Sequence, residues 1–248
     1  MTHQTSSFAS ADWDAYARCY DTLTDLQPYQ DLVAAVAAQL PTDAVSVLDA
    51  GCGTGTLLQA IARQHGAALT GIDGSPQMMA RAMAKLAPYS VELIRGDLEG
   101  EAALPGSYDC IVSTNVLYTL RNPLAFLQQV RRVLNDDGTV VIATPMAGYD
   151  NGLILKAHCH DERDDAFWRH PHESIERENF LIKEAFGDSS LAIDMQLIAT
   201  YNRWIYRTAT FHFFTESELL TLFAQADLHV QHMTTAYADQ CWLVVAHR

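Results

Sequence analysis

Basic residues are scarce in this chain, and long apolar runs are missing from it. The 248 residues include 16 Lys and Arg against 30 Asp and Glu, which gives a formal net charge of -14. Such a surface repels phosphate backbones and anionic lipid headgroups. Arg131 and Arg132 form the sole adjacent basic pair, and no stretch reaches the roughly 18 apolar residues that a membrane-spanning helix needs. We therefore predict no nucleic-acid partner and no membrane partner.

Cysteine is also sparse, and a secretion signal is missing. The five cysteines are scattered and never adopt CxxC spacing: Cys19, Cys52, Cys110, Cys159 and Cys241. This pattern argues against a disulfide framework or a structural zinc site. The first residues contain no basic segment followed by an apolar run. We therefore expect a cytoplasmic protein with reduced thiols.

Apolar periodicity predicts an α/β protein. Residues 12–40 have helical spacing, and from residue 45 short apolar runs alternate with helical stretches of about ten residues. The predicted strands are 45–49, 68–73, 91–95, 108–114 and 139–144. Such alternation requires right-handed crossovers and a mainly parallel sheet. Residues 147–212 break the pattern and are predicted to be irregular. A helix after Thr215 and two further runs, 228–233 and 241–247, predict an antiparallel hairpin at one sheet edge.

A glycine-rich turn and three acids mark the carboxyl edge of this sheet. Gly51, Gly53 and Gly55 follow a predicted strand and open a helix. Glycines at such a turn let the backbone approach a ligand where a Cβ would clash. Asp49 precedes the glycines. Asp73 and Asp97 follow the second and third strands, where an acid can accept hydrogen bonds from a ribose.

These segments together resemble the motifs of class I S-adenosylmethionine-dependent methyltransferases. The resemblance covers roughly residues 45–145 and the C-terminal hairpin. The segments that carry it are Val47–Gly55, Gly71–Met78, Gly96–Leu98, Tyr108–Tyr118 and Arg132–Gly138. It implies a Rossmann-like, seven-stranded and mainly parallel sheet with helices on both faces. The antiparallel hairpin would close one edge, and an insertion would cap the substrate pocket.

The resemblance also implies a cofactor, S-adenosyl-L-methionine, and residues that bind it. Asp49 would line its methionine part with the glycines, Asp73 would hold the ribose, and Met78 and Asp97 would contact the adenine. Thr114 would present backbone beside the sulfonium. The residues expected to bind the cofactor are Tyr16, Tyr20, Asp49, Gly51, Cys52, Gly53, Asp73, Gly74, Met78, Asp97, Leu98 and Thr114.

Several positions leave alternatives open. Tyr16 and Tyr20 match a pattern in which a tyrosine closes over the methionine end, but packing of a helix on the core explains them too. Many relatives have histidine after the fourth motif, where this chain has Tyr118 and Thr119. Asn115 is followed by valine, so the Asn-Pro-Pro-Tyr motif of DNA adenine methyltransferases is missing.

The resemblance implies three regions. Residues 1–40 would cover the cofactor site, 41–146 with 213–248 would form the core, and 147–212 would cap the substrate. The cap is rich in aromatic residues: Phe167, Trp168, Phe180, Phe186, Tyr201, Trp204 and Tyr206. Most of them would fill a small core of the cap itself, and a few would face substrate.

The cap also contains a cluster of histidines and acids. His158, His160, His170 and His172 lie among acidic residues, and a polar lid loop explains them as well as a metal site does. We predict no metal. The catalytic residue stays unassigned, with His170, His172 and Tyr16 as candidates for proton transfer.

The predicted function is methyl transfer to a small organic molecule, with oxygen or nitrogen as acceptor atom. One alternative is a protein or carrier-bound substrate. Another is a protein of this fold that binds the cofactor without methylating. A dehydrogenase is disfavoured because Gly-Cys-Gly-Thr-Gly lacks the GxGxxG spacing of the nicotinamide fingerprint. The acceptor's identity and the oligomeric state stay open.

Overall fold

Seven strands form one sheet, and helices cover both of its faces. A computed structural model describes residues 12–100, 104–160, 175–208 and 211–248 of the chain. The strands are β1 (Ser46–Ala50), β2 (Ala68–Asp73), β3 (Val91–Arg95), β4 (Tyr108–Thr114), β5 (Leu134–Pro145), β6 (His229–Ala236) and β7 (Cys241–His247). Their order in the sheet is β3-β2-β1-β4-β5-β7-β6.

Strand directions confirm the predicted sheet. The five neighbouring strands β3, β2, β1, β4 and β5 pair in parallel. β7 runs antiparallel to β5, and β6 pairs antiparallel with β7 to form the edge hairpin. The chain passes from β1 outward to β3 and then returns to β4 on the other side of β1. Sheets of this kind bind ligands at the carboxyl ends of the strands where the order reverses, which here is the β1–β4 boundary.

Capping side chains mark the starts of several helices. The helices of the described ranges are α1 (Trp13–Tyr20), α2 (Gln27–Ala37), α3 (Thr56–Ala62), α4 (Pro76–Leu86), α5 (Pro123–Val133), α6 (Asn151–His158), α7 (Ile175–Phe186), α8 (Ser190–Thr208) and α9 (Glu216–Gln225). Asp12, Ser75 and Asn122 cap helices α1, α4 and α5 with side-chain oxygens. Thr215 and Glu218 form a capping box at α9. A 3₁₀ turn at 21–25 interrupts the helix predicted over 12–40.

The core forms two layers because strand side chains alternate between the two faces. In β1, Val47 packs with one cluster of buried residues and Leu48 with the other, and both are fully buried. The first layer includes residues of α1 to α4 and of α6 to α8. The second includes residues of α5 and α9, among them Phe126 and Phe223. The helices therefore cover both faces of the sheet.

The prediction that residues 147–212 are irregular was wrong for the part that the structure describes. Helices α6, α7 and α8 occupy most of that part. In α8, Ala192, Met195 and Ala199 are buried at three- and four-residue spacing, which is one helical face. Exposed apolar residues between these positions, Ile193 and Leu197, hide the period in the sequence. None of the helices in the described ranges is both long enough and apolar enough to cross a membrane.

The N-terminal helix is anchored to the first half of the sheet. The Asp14 carboxylate accepts hydrogen bonds from the hydroxyl of Ser75 and from the backbone N–H of Gln77, at the start of α4. Lys85 Nζ lies 2.6 Å from Asp21 Oδ1 and 3.0 Å from Thr54 Oγ1. These contacts hold α1 and the turn after it against the glycine-rich loop.

Candidate active site

The turn between β1 and α3 requires glycine at its first position. Gly51 has a φ of +85°, and a Cβ placed there would lie 2.3 Å from Cγ2 of Val116. Its N–H donates to the carbonyl of Ile72 at 2.8 Å. Gly53 has a φ of +53°, and a Cβ placed there would lie 4.0 Å from Cε1 of Tyr20, an ordinary contact. The loop therefore presents bare backbone to the carboxyl edge of the sheet.

Asp73, at the end of β2, organises the same edge. Its Oδ2 accepts the N–H of Gly53 at 2.9 Å, and its Oδ1 accepts the N–H of Ser75 at 2.8 Å. Burial raises the pKa of this carboxyl, although these hydrogen bonds oppose the shift. A carboxylate has about four acceptor positions. Backbone donors occupy two of them, so Asp73 can still accept hydrogen bonds from a ligand.

Most of the residues predicted to bind the cofactor line one large cavity, which we call the cleft. Its volume is about 1420 Å³. The predicted residues that line it are Tyr20, Gly51, Gly53, Asp73, Gly74, Met78, Asp97, Leu98 and Thr114. Tyr20 comes from α1 and Met78 from α4, and the others come from the ends of parallel strands and the loops after them, which the register brings to one edge. The cleft is therefore a candidate cofactor site built from elements that are distant in sequence.

Asp49 and Cys52 do not line the cleft. Asp49 is 2% exposed, and its Oδ1 has no hydrogen-bond partner among the described residues. Burial, and then the charge of Asp73, raises its pKa to about 8. The thiol of Cys52 turns toward Gly71, where a built Cβ would lie 3.0 Å from its Sγ. Cys52 therefore packs in the core, whereas Asp49 offers an unsatisfied oxygen beneath the glycine loop.

From the raised pKa of Asp49 we predict that cofactor binding depends on pH. An acid with a pKa of about 8 is mostly protonated at pH 6, and a nearby cation such as the ammonium of a methionine group favours its ionised form. Binding should therefore release a proton and tighten by up to about tenfold per pH unit between pH 6 and 7.5. Titration calorimetry with S-adenosylhomocysteine in buffers of different ionisation enthalpy measures this release.

The same carboxyl affects stability in the opposite direction. An unfolded Asp ionises near pH 3.9, whereas folded Asp49 holds its proton to about pH 8. Its contribution to the free energy of unfolding should therefore fall as pH rises through that window. Asp49→Asn should flatten the pH dependence of both the cofactor affinity and the free energy of unfolding.

Affinity for S-adenosylhomocysteine that stays constant from pH 6 to 7.5 in the native protein would contradict the placement of Asp49 near the ammonium group of the cofactor.

A second and smaller cavity, the inner recess, adjoins the cleft. Its volume is about 110 Å³. Its aromatic lining consists of Trp13, Tyr16, Tyr20, Tyr118, Tyr149, Phe211, Phe213 and Tyr237, and its polar lining of Asn115, Asp150, Asn151, Glu178, Asn202 and Arg203. Four residues line both cavities: Trp13, Tyr20, Asn115 and Phe211. The two spaces therefore meet beside the end of β4.

Tyrosine hydroxyls of the recess stay neutral at physiological pH. Burial raises the pKa of Tyr20 to about 12 and raises the pKa of Tyr16 well above its usual value. The Tyr16 hydroxyl donates to Asn202 Oδ1 at 2.9 Å. Tyr16 is therefore suited to donating a hydrogen bond and poorly suited to accepting a proton. Glu178 pairs with Arg203, and both side chains are largely buried.

The other residues predicted to act in the site, the two tyrosines of α1 and the histidines and aromatic residues of the cap, lie in different places. Tyr16 lines the recess and not the cleft, whereas Tyr20 lines both. His170 and His172 lie outside the described residues, so their proposed role in proton transfer stays a prediction. Of the described cap aromatics, Tyr201 packs on Tyr16 at a centroid distance of 5.6 Å, and Phe186 stacks on His158.

Sequence reasoning missed most of the recess. Five of its aromatic residues were not predicted to line a site: Tyr118, Tyr149, Phe211, Phe213 and Tyr237. The alternation of Phe211 and Phe213 was the available signal, because alternate residues of an extended segment share a face. In the described ranges, His, Cys, Asp and Glu form no cluster of three that could hold a metal ion.

Comparison with known proteins agrees with this geometry. A family described as a methyltransferase domain matches residues 19–233. A malonyl-[acyl-carrier protein] O-methyltransferase of Priestia megaterium is 27% identical over 146 residues, which span 58% of this chain and 52% of that protein. A ubiquinone biosynthesis O-methyltransferase of Xanthomonas campestris pv. campestris is 32% identical over 112 residues, which span 44% of this chain and 46% of that protein. The matches thus span about half the length of these curated relatives.

A solved structure has the same fold over nearly its whole length. A chain of the complex between the Haloferax volcanii Trm112 methyltransferase activator and a methyltransferase matches with a TM-score of 0.65 and 17% identity. The match covers 96% of this chain and 98% of that one. Since the family match spans most of the sequence and the glycine loop and strand-end acids meet at one cleft, the chain belongs to the class I S-adenosylmethionine-dependent methyltransferases.

Proposed function

We propose that this enzyme methylates a small organic molecule bound in the inner recess, at an oxygen or a nitrogen atom. The observation that carries the proposal is the junction of recess and cleft at Trp13, Tyr20, Asn115 and Phe211. The cofactor supplies an electrophilic methyl group on a sulfonium. An acceptor in the recess would reach that group through the junction.

The protein's own contribution would be binding, alignment and exclusion of water. We assign Asp73 to the ribose and Asp97 with Met78 to the adenine, as the motifs imply, because all three line the cleft. The glycine loop would hold the methionine part, and Asp49, buried beneath the loop, would attract its ammonium group. Aromatic side chains at the junction would keep the reacting atoms dry, and such positioning supplies much of the rate in a displacement of this kind.

The size of the recess supports a small acceptor. Its volume is about 110 Å³, and an apolar cavity of about 150 Å³ holds one benzene molecule. A carrier-bound acceptor is the second candidate. It is supported by the name of the Priestia megaterium relative, a malonyl-[acyl-carrier protein] O-methyltransferase. The net charge of -14 would favour a basic docking partner.

Product analysis separates these candidates. The purified protein would be incubated with methyl-labelled S-adenosylmethionine and, in separate reactions, with a small-molecule extract and a protein fraction. We expect label in small products, and at least about tenfold less at subsaturating cofactor with Asp73→Ala, which serves as the control with weakened cofactor binding. Label that precipitates with protein would favour the carrier-bound substrate. Binding of cofactor without transfer to either fraction would favour a protein that does not methylate.

A further inference from the structure

Asn115 lies directly after β4, and its side chain lines both the inner recess and the cleft. We infer that the methyl acceptor atom is oxygen and that the side-chain amide of Asn115 binds it as a hydrogen-bond donor. This inference rests on the proposed function and narrows the acceptor atom from oxygen or nitrogen to oxygen. It depends on how the amide is held and on which of its atoms faces the two cavities.

The backbone of Asn115 is fixed in an uncommon conformation. Its φ is +58°, in the left-handed region that asparagine tolerates better than most residues other than glycine. Its N–H donates to the carbonyl of Ala143 on β5 at 2.8 Å. The next residue, Val116, packs against the glycine loop beside Gly51. These contacts on both sides of Asn115 hold its side chain at the place where the cavities meet.

One end of the amide is already engaged. The thiol of Cys241 donates to Asn115 Oδ1 at an S–O distance of 3.7 Å. Cys241 is fully buried, and burial raises the pKa of its thiol, which therefore keeps the proton that it donates. Nδ2 of Asn115 has no hydrogen-bond partner among the described residues and, unlike Oγ1 of Thr114, is not enclosed by protein atoms. Nδ2 therefore presents its N–H donors to the junction of the cavities.

Aromatic rings surround this amide. Trp13, Tyr20 and Phe211 are the other residues that line both cavities. Trp13 stacks on Phe211 at a centroid distance of 6.3 Å, and Tyr118 meets Phe211 edge to face at 4.9 Å. A hydrogen bond in such apolar surroundings competes less with water than one at an exposed surface. The amide of Asn115 is therefore suited to fixing a ligand atom at the junction.

A hydrogen-bond donor at this place favours oxygen over nitrogen. An oxygen acceptor has at least two lone pairs. One accepts the N–H of Nδ2 while a second forms the bond to the methyl carbon; the carbon–sulfur bond breaks, and its electron pair stays on sulfur. A hydroxyl acceptor also releases its proton to water. A neutral amine has a single lone pair, so a hydrogen bond to it blocks attack, and binding without that bond leaves the donor of Asn115 unsatisfied.

Three neutral ligands of nearly equal size test the donor: pyridine N-oxide, aniline and toluene. The oxygen of pyridine N-oxide only accepts hydrogen bonds, the nitrogen of aniline mainly donates them, and toluene does neither. Their dissociation constants would be measured by NMR titration of the free protein at about pH 8, and again with saturating S-adenosylhomocysteine. The comparison is made for each ligand between native protein and variants, so differences in hydration among the ligands cancel.

Two variants keep the left-handed backbone and change only the amide. Asn115→Gly removes it and should weaken binding of pyridine N-oxide about three- to tenfold while affecting toluene much less. Asn115→Asp keeps an oxygen for the Cys241 thiol but replaces the N–H donor with a second oxygen. It should weaken pyridine N-oxide about tenfold or more and should not weaken aniline.

Asp227→Gly is the matched control, because Asp227 has a φ of +56° and lies outside both cavities. It should leave the affinity for all three ligands unchanged, and thermal unfolding would show that each variant is folded. Unchanged affinity for pyridine N-oxide in both Asn115 variants would overturn the inference. An equal loss for all three ligands would also overturn it, because that result indicates a structural role alone.

The methylated product tests the acceptor atom directly. The protein would be incubated with a small-molecule extract and S-adenosylmethionine that carries an NMR-active carbon isotope in its methyl group. The carbon chemical shift then separates oxygen-bound from nitrogen-bound methyl groups. We expect oxygen-bound methyl groups, and at least about tenfold less product with Asn115→Asp at saturating cofactor.

The outcomes distinguish this inference from the proposed function. Nitrogen-bound methyl groups as the main product would overturn the inference and leave the proposed function standing. If S-adenosylhomocysteine binds and no fraction is methylated, the proposed function is wrong. The titrations with pyridine N-oxide still decide in that case whether Asn115 donates a hydrogen bond at the junction.

Discussion

Asp73→Ala is expected to weaken binding of S-adenosylhomocysteine at least tenfold. The substitution removes a carboxylate that lines the cleft and accepts the backbone N–H groups of Gly53 and Ser75. Hydrogen bonds to a charged acceptor contribute about 1.5–3 kcal/mol, which corresponds to a 10- to 150-fold change in Kd. Titration calorimetry gives Kd, and thermal unfolding shows whether the variant stays folded.

Two comparisons identify the ribose as the partner of Asp73. Adenine lacks a ribose, so its affinity should change much less than that of S-adenosylhomocysteine. Asp73→Asn retains one acceptor oxygen where the carboxylate used both, so its loss of affinity should be intermediate. A folded Asp73→Ala protein that binds S-adenosylhomocysteine as tightly as the native one would refute the assignment.

Gly51→Ala is expected to cost stability and cofactor binding together. Gly51 has a φ of +85°, and the new Cβ would lie 2.3 Å from Cγ2 of Val116. The left-handed backbone costs an L-residue about 1–2 kcal/mol, and overpacking adds about 1–3 kcal/mol. Denaturant unfolding should therefore show a loss of about 2–5 kcal/mol. Binding should weaken because Val116 and Gly51 both line the cleft.

Gly148 provides a matched control for this variant. It has the same φ of +85°, but no atom of the residues that the structure describes lies within 4 Å of the position of an added Cβ. Gly148→Ala should therefore show the backbone cost alone, about 1–2 kcal/mol. Adding Val116→Ala to Gly51→Ala removes the clash and should recover part of the lost stability. Equal losses in Gly51→Ala and Gly148→Ala would mean that the contact with Val116 is unimportant.

The parts of the site that follow strand ends were predictable from sequence. Each strand is a short apolar run, and parallel strands place their carboxyl ends at one edge. The spacing from the glycine loop to Asp73 and then to Asp97 therefore predicted residues that meet in the cleft. Local chemistry also predicted helix starts, as at Pro76, which follows the capping residue Ser75.

Pairing between strands that are distant in sequence moved other element boundaries away from their predicted positions. β5 begins at Leu134 and not at residue 139, because Leu134 pairs with Tyr108 before a register shift leads to Cys110 and Thr139. The pairing partner of Leu134 is distant in sequence, so neither apolar pattern nor propensity indicates it. Asp49 similarly precedes the glycine loop in sequence, yet alternation along β1 turns its side chain into the interior.

By itself the sequence determined the order of strands and helices, the glycine loop and the acids at the carboxyl edge, because these depend on periodicity and on spacing along one segment. Only the tertiary structure decided the inner recess. Asp150, Arg203 and Tyr237 lie on separate elements, and each looks like an ordinary surface or core residue in its own segment; Tyr16, which the sequence did single out, lies on a fourth element. Packing of α1, α6, α8 and the hairpin against one another brings them around a single small cavity.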